Sequence, residues 1–276
     1  MHIIITKRRF NLNASNLNEN KRYILMINVI LYFLVIASLG VQIFRNNWNN
    51  VFLCAITLVL FTIPYFVNKK LQINLPNVLQ VIVLLFIFSS EILGEIQNFY
   101  GIFKHWDTIL HTLNGFLCAA IGFALIDILN NTEKFHIHLS PVFVALVAIC
   151  FSMTIGVLWE FCEFGVDTFL NQDMQKDSIV SNITSVSFND KNEKPPISIN
   201  NIEKTVVYYW NNDGELLEKQ IAGGYLDLAL KDTMKDLIVN FIGAIIFSII
   251  GLLYIKDRDK YKFIEKFLLS TKKEEP

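Results

Sequence analysis

Six stretches of the chain are apolar over about the twenty residues a helix needs to cross a hydrocarbon core. They run over about Tyr23–Phe44, Val51–Val67, Val78–Ile96, Asp107–Leu129, Pro141–Phe164 and Thr233–Ile255. The second is short and holds Pro64 near its end. Each is apolar on most faces, so the pattern predicts a helix and its length but not its rotation. The long polar connection, about Thr168 to Lys231, contains TVVYYWNNDGELLEKQI. Alternating segments on either side of Asn-Asp-Gly predict a β-hairpin. A lone hairpin is marginal in water, so it is expected to pack on the helix ends or to pair with the ISI stretch before it. A lid and an inert decoration both remain open for this loop.

The expected fold is all-α: a polytopic membrane protein of about six transmembrane helices with a hairpin-bearing extracytoplasmic loop. Residues 1–22 form a cytoplasmic N-terminal segment and 23–167 hold five transmembrane helices. Residues 168–231 form the loop, 232–255 the sixth helix and 256–276 a cytoplasmic tail.

Composition agrees with this class. Of 276 residues, 53% are hydrophobic and 18% are charged, against about a quarter charged in soluble domains. The formal net charge of −1 excludes the basic surface a nucleic-acid partner requires. The expected surroundings are the lipid bilayer. Cys54, Cys118, Cys150 and Cys162 lie in or beside apolar runs without CxxC spacing, so neither a disulfide framework nor a zinc knuckle is indicated. No small-residue cleavage site follows the basic N-terminal segment at signal-peptide spacing, so the first span is expected to be a retained helix.

Lys and Arg set the orientation. Lys7, Arg8, Arg9, Lys21 and Arg22 precede the first span, Lys69 and Lys70 follow the second, Lys134 follows the fourth, and the C-terminal tail is rich in Lys. On the opposite side the first loop holds only Arg45 and the connection before the fourth span only Lys104; the long loop after the fifth span contains several lysines, but long segments translocate largely regardless of charge. Both termini are therefore expected in the cytoplasm.

With spans alternating in direction, four polar clusters fall at one depth on the extracytoplasmic side. They are Glu91 with Glu95, Asp107 with His111, Glu160 with Glu163, and Asp232 with Asp236 and Asn240. Spacings of i,i+3 and i,i+4 place each set on one helical face. Ionisable groups inside spans are costly and face the bundle interior or a water-filled cavity. Asp107, His111, Glu160, Glu163, Asp236 and Asn240 are the candidate site residues, expected to share one cleft. Carboxylates gathered there repel one another and share protons, recruit Lys104, Lys231 or Lys235, or bind a cation. Carboxylates with one imidazole suit a divalent metal, but no cofactor follows from the spacing alone. A structural network locking the helices together is the alternative. His136 and His138 are read as a solvated loop pair, and Asp127 as interfacial. Trp106 and Trp159 fit an aromatic interface belt. Gly115, Gly122, Gly243 and Gly251 suit close helix contact.

The runs DTILHTLNG, LWEFCEF and DTMKDLIVNFIGA resemble the YjdF-like uncharacterised bacterial inner-membrane family. Their order also resembles the VanZ-like pattern, which Asp107, His111, Glu160, Asp236, Asn240 and Gly243 match one by one. The similarity covers about Trp106–Gly251, and the long loop departs from the compact VanZ-like pattern. VanZ-like proteins are linked to the cell envelope and to glycopeptide-antibiotic resistance. The resemblance thus implies an envelope protein rather than a defined reaction. Three functions follow as expectations: an enzyme acting on a lipid or lipid-linked envelope precursor, a non-catalytic envelope scaffold, and a proton- or cation-coupled transporter. The last is ranked lowest, because the polar groups lie at helix ends and no internal repeat is present.

Overall fold

A computed structural model describes the backbone of residues 2–70, 73–130, 139–189 and 194–271, and side chains over 22–70, 74–130, 139–189 and 194–269. It contains six helices long and apolar enough to cross a membrane: Arg22–Phe44, Trp48–Lys70, Asn77–Ile96, Trp106–Asn130, Pro141–Leu170 and Leu230–Lys256. His136, His138 and Lys134 lie outside the described residues, as do the side chains of Lys7, Arg8, Arg9 and Lys21.

The chain divides into two compact units, residues 1–155 with 239–276, and residues 156–238. In the first, α1 (His2–Phe44) packs on α2 (Trp48–Leu60) and α4 (Asn77–Phe88). Leu31, Val35, Cys54, Phe61, Leu84 and Ile87 form their shared core. The second span is not one helix. It breaks after Leu60 and resumes as α3 (Ile63–Lys70). Pro64 lies in the first turn of α3, where its missing N–H costs nothing. A further departure lies in the third span. After Phe88 the helix widens into a π-helical segment, Ser89–Ile96, a geometry that is rare and concentrated at functional sites. Apolar content alone does not distinguish the two helix types, so the sequence pattern was silent on it.

A one-turn helix, α5 (Phe99–Ile102), leads into α6 (Trp106–Asn130). The long helices α7 (Pro141–Leu170) and α8 (Leu230–Lys256) follow. Glycines let these helices touch. A Cβ at Gly115 would strike the Asn240 carbonyl, one at Gly243 the Thr112 carbonyl, and one at Gly251 the Phe123 ring. A Cβ at Gly122 would meet Phe151 on α7. Backbone atoms cannot yield as a flexible side chain can, so the small residue is required at 115 and 243. The same crossing carries a polar joint. Asn114 Nδ2 donates to Asn240 Oδ1 at 3.0 Å, Ser152 Oγ donates to the Gly115 carbonyl at 2.9 Å, and Asn240 Nδ2 reaches the Ser152 carbonyl at 3.5 Å. These groups are neutral, Ser152 and Asn240 are buried and Asn114 partly so, and their donors and acceptors answer one another.

The C-terminal tail, expected only as a lysine-rich cytoplasmic segment, is a structural element as far as residue 271. Ile264, Leu268 and Leu269 are buried with Leu79, Ala124 and Phe247. Arg258 pairs with Asp127 at 2.8 Å, so Asp127 has a specific partner at the end of α6. Strand β1 (Ile73–Asn74) pairs antiparallel with β8 (Ser270–Thr271). This ties the connection after the second span to the tail, as required if both lie on one side of the membrane.

The second unit contains the loop. β2 (Ser178–Val180) pairs with β7 (Tyr225–Asp227), and β3 (Ile183–Ser185) with β4 (Ile197–Ile199). The hairpin is β5 (Lys204–Trp210) with β6 (Leu216–Ala222), in register from Lys204↔Ala222 to Trp210↔Leu216. Its turn is closed by Asn211, whose side chain accepts from the backbone N–H groups of Asp213 and Glu215, with Gly214 at φ +78°. The ISI stretch is β4, and it pairs with β3 rather than with the hairpin. Complementary side chains explain this choice: Thr184 and Ser198 join their hydroxyls at 2.8 Å across that pair.

Candidate functional site

The first unit gathers polar groups around the start of α6 and the π-helical segment. Asp107 opens α6, where a carboxylate favours the positive end of the helix dipole. His111 follows at i,i+4, and its Nε2 lies 3.3 Å from Asp107 Oδ1. The helical spacing read from the sequence thus yields a direct carboxylate–imidazole contact. The Trp106 indole donates to the Ser89 carbonyl at 3.2 Å. It therefore fixes α6 against the turn where α-helix becomes π-helix, a more specific role than an interface belt.

Along the π-helical segment, Glu91 is buried and Ser90 Oγ donates to its Oε1 at 3.3 Å. The Tyr100 hydroxyl lies 3.3 Å from Ser90 Oγ, and its ring fills the space that a side chain at Gly94 would occupy. Burial pushes the Tyr100 phenol well above its usual range, and the carboxylates of Glu95, Glu91 and Asp107 push the same way. The phenol is therefore a proton donor at neutral pH, electrostatically linked to both Glu91 and Asp107. Ser90 and Tyr100 were not among the candidates. Tyr100 sits in a four-residue turn with no periodicity to expose it.

The second unit holds a separate set of carboxylates at the end of α7 and the start of α8. Glu160 and Glu163 are buried, while Phe161, Cys162 and Phe164 between and beside them are exposed. The i,i+3 stripe therefore does point away from lipid. The Trp159 indole donates to Glu163 Oε1 at 2.7 Å. Beyond α7 the chain hooks back, with Asp167 accepting from the backbone N–H groups of Met174 and Gln175 at 2.6 and 2.8 Å. This presents the buried Gln175 side chain to two helices at once. Its Nε2 donates to Thr233 Oγ1 at 2.7 Å and approaches Glu160 Oε2 at 3.5 Å. Asp236 is 2% exposed, and Lys235 Nζ lies 3.4 Å from its Oδ1 and 3.2 Å from Asp232 Oδ1. Asp232 also accepts from the Lys176 backbone N–H at 2.8 Å. Gln175 and Thr233 escaped notice because a glutamine beyond a helix end carries no periodic signal.

The structure thus joins Asp107 with His111, and places Glu160, Glu163 and Asp236 together as buried acids of one unit. Asn240 belongs to the polar joint with Asn114. Cys150 and Cys162 are exposed and Cys118 is partly buried; only Cys54 is a buried core cysteine.

A search of solved structures returns no match. An uncharacterised protein of Thermotoga maritima is 28% identical over 107 residues, 39% of this chain. The matched stretch spans 53% of that relative's length. The family described as "Predicted membrane protein (DUF2238)" matches residues 24–257, nearly all of the six spans and the loop. With its six apolar helices and a family match over most of its length, the chain is an integral membrane protein of unknown function and belongs to the DUF2238 family, which fits the YjdF-like resemblance of its motifs.

Proposed function

We propose that the Asp107–His111 pair at the beginning of α6 is the centre of a site at the extracytoplasmic face of a bacterial cytoplasmic membrane that acts on a lipid or lipid-linked cell-envelope substrate, and that the buried acids Glu160, Glu163 and Asp236 serve the same function. The observation that carries the proposal is the Asp107–His111 contact of 3.3 Å one turn before the α6–α8 joint. Thr112 faces Gly243, Phe116 stacks on Phe247, and Phe123 meets Gly251, so α6 and α8 run in the same sense, as alternating spans require. The sequence motifs also follow the VanZ-like order, which supports an envelope role.

His111 takes the role of general base. Asp107, 3.3 Å away, orients the imidazole, and the imidazole removes a proton from water or a substrate hydroxyl. Asp107 and His111 also offer ligand atoms of the kinds a divalent cation takes. The lysine pattern and the β1–β8 pairing support cytoplasmic termini and an extracytoplasmic 168–231 loop. Labelling a cysteine at position 213 from outside intact cells tests that orientation.

The functional test compares lipids and cell-wall precursors in a deletion strain and in a strain carrying Glu160→Gln. The expected result is accumulation of one lipid-linked species in both. Unchanged lipids and precursors in the deletion strain would remove the enzymatic proposal. The exposed hairpin would then favour the non-catalytic scaffold.

A further inference from the structure

The loop hairpin is built at its base and bare at its end. Thr205 Oγ1 donates to the Gly224 carbonyl at 2.8 Å and accepts from the Leu226 backbone N–H at 3.3 Å, which fastens the first residues of β5 to the chain around β7. Toward the turn this support stops. Tyr208, Trp210 and Leu216 are 64%, 69% and 55% exposed. Strand alternation puts these three on one face of the ribbon, since Trp210 is paired with Leu216 and Tyr208 lies two residues before Trp210; Glu218, the partner of Tyr208, shares that face, and its carboxylate can reach past the ring toward water. Among the described residues, β5 and β6 form a sheet of only two strands. A two-stranded ribbon with its aromatic face in water is marginal. Something covers that face in the working protein.

We infer that the Tyr208–Trp210–Leu216 face lies in the interfacial layer of the same bilayer that holds α7 and α8. Three observations favour lipid over another occupant. The side chains are of the types that gather at a membrane–water boundary, where an aromatic body sits among headgroups and its N–H or O–H stays hydrated. The tether is short: seven residues separate Ala222 from Leu230, the first residue of a spanning helix. A fully extended chain from Ala222 to Leu230 covers at most about 29 Å, which keeps the hairpin base near the membrane surface. The neighbouring helix ends are apolar and bare, with Leu228 and Leu230 exposed at the start of α8 and Phe169 and Leu170 at the end of α7. The hairpin face continues a boundary the spanning helices have begun. Its turn, Asn211-Asn212-Asp213-Gly214-Glu215, is polar and acidic, which opposes insertion tip first. The ribbon therefore lies along the surface rather than piercing it. This inference depends on the membrane spans alone and not on the proposed site.

The test uses the full-length protein and its Trp210→Phe variant in vesicles of equal parts phosphatidylcholine and phosphatidylglycerol. Subtracting the two emission spectra isolates Trp210 from Trp48, Trp106 and Trp159. The phosphatidylcholine is then exchanged for lipid brominated near the headgroup end of its acyl chain. The expected result is a blue-shifted Trp210 signal quenched about twofold or more, as for an interfacial indole. An unquenched signal with water-like emission overturns the inference. So does an unquenched but blue-shifted signal, which would mean that protein, either a partner or a second copy, covers the face. Because Trp210 is exposed and lies near the turn, Trp210→Phe leaves the fold intact. Thermal unfolding of the variant checks this.

Discussion

The polar joint between α6, α7 and α8 and the buried carboxylates near the helix ends are both polar groups inside a largely apolar protein, but they solve burial differently. In the joint, Asn114, Asn240, Ser152 and the Gly115 carbonyl are neutral, and each donor meets an acceptor within 2.9 to 3.5 Å. Such a set holds helices together and asks for nothing else. Glu91, Glu160, Glu163 and Asp236 are also buried, yet as carboxylates they bring acceptors and charge. Trp159, Gln175, Ser90 and Lys235 answer part of that demand. Repeating acceptors at this density is a poor way to stabilise a bundle, and a good way to hold protons, a cation or a substrate. On the proposed reading the joint is architecture and the acids are equipment.

Mutations can break this distinction. The largest loss is expected from Gly115→Leu or Gly243→Leu. Each drives a side chain into a facing backbone carbonyl, so the cost should reach or exceed the roughly 1–3 kcal/mol typical of overpacking. Thermal unfolding in detergent should show either no folded protein or a strongly lowered midpoint. Next comes Asn240→Leu, which leaves the Asn114 amide without its acceptor and should cost about 1–3 kcal/mol. The Asn114→Leu/Asn240→Leu pair should cost less than the two single changes summed, because both remove the same bond. By contrast Glu160→Gln and Asp236→Asn keep shape and hydrogen bonding while removing charge. Stability should stay within about 1 kcal/mol of the parent, or rise. If these two variants unfold as readily as Asn240→Leu, the acids are architecture as well.

The smallest effect concerns the loop. Desolvation, then the Asp173 carboxylate with Asp167 and Asp227, pushes the Asp177 carboxyl above its ordinary value of 3.8. The folded loop therefore holds that proton more tightly than the unfolded chain does. Its contribution to stability is present below pH 3.8 and is lost as pH rises through the raised value. Asp177→Asn should flatten this pH dependence in the second unit, measured by hydrogen exchange of β2 and β7.

Much of the fold was legible because membrane crossing is a matter of length and apolarity. Those two properties located all six spans, although α7 extends two turns past Phe164 to Leu170. The glycine contacts and the hairpin were legible for similar reasons, since each rests on a local rule. The tail was not. Tyr261, Ile264, Phe267 and Leu268 repeat at helical spacing, but the interspersed lysines hid the stripe. The π-helical segment was hidden because its residues look the same as those of an α-helix. For the candidate site, i,i+4 spacing gave Asp107 and His111 correctly as a contacting pair. It could not give Tyr100 or Gln175, which tertiary folding brings in from short connections.

The central claim is that the Asp107–His111 pair of α6 carries the proposed activity, whereas the Asn114–Asn240 joint only holds helices together. Complementing the deletion strain with His111→Gln tests it most directly, with the membrane level and thermal unfolding of the variant measured beside the lipid-linked precursors. The account predicts a variant that is folded and present at the parental level, yet accumulates the same lipid-linked species as the deletion strain. A folded His111→Gln protein that restores the parental lipid profile would contradict it.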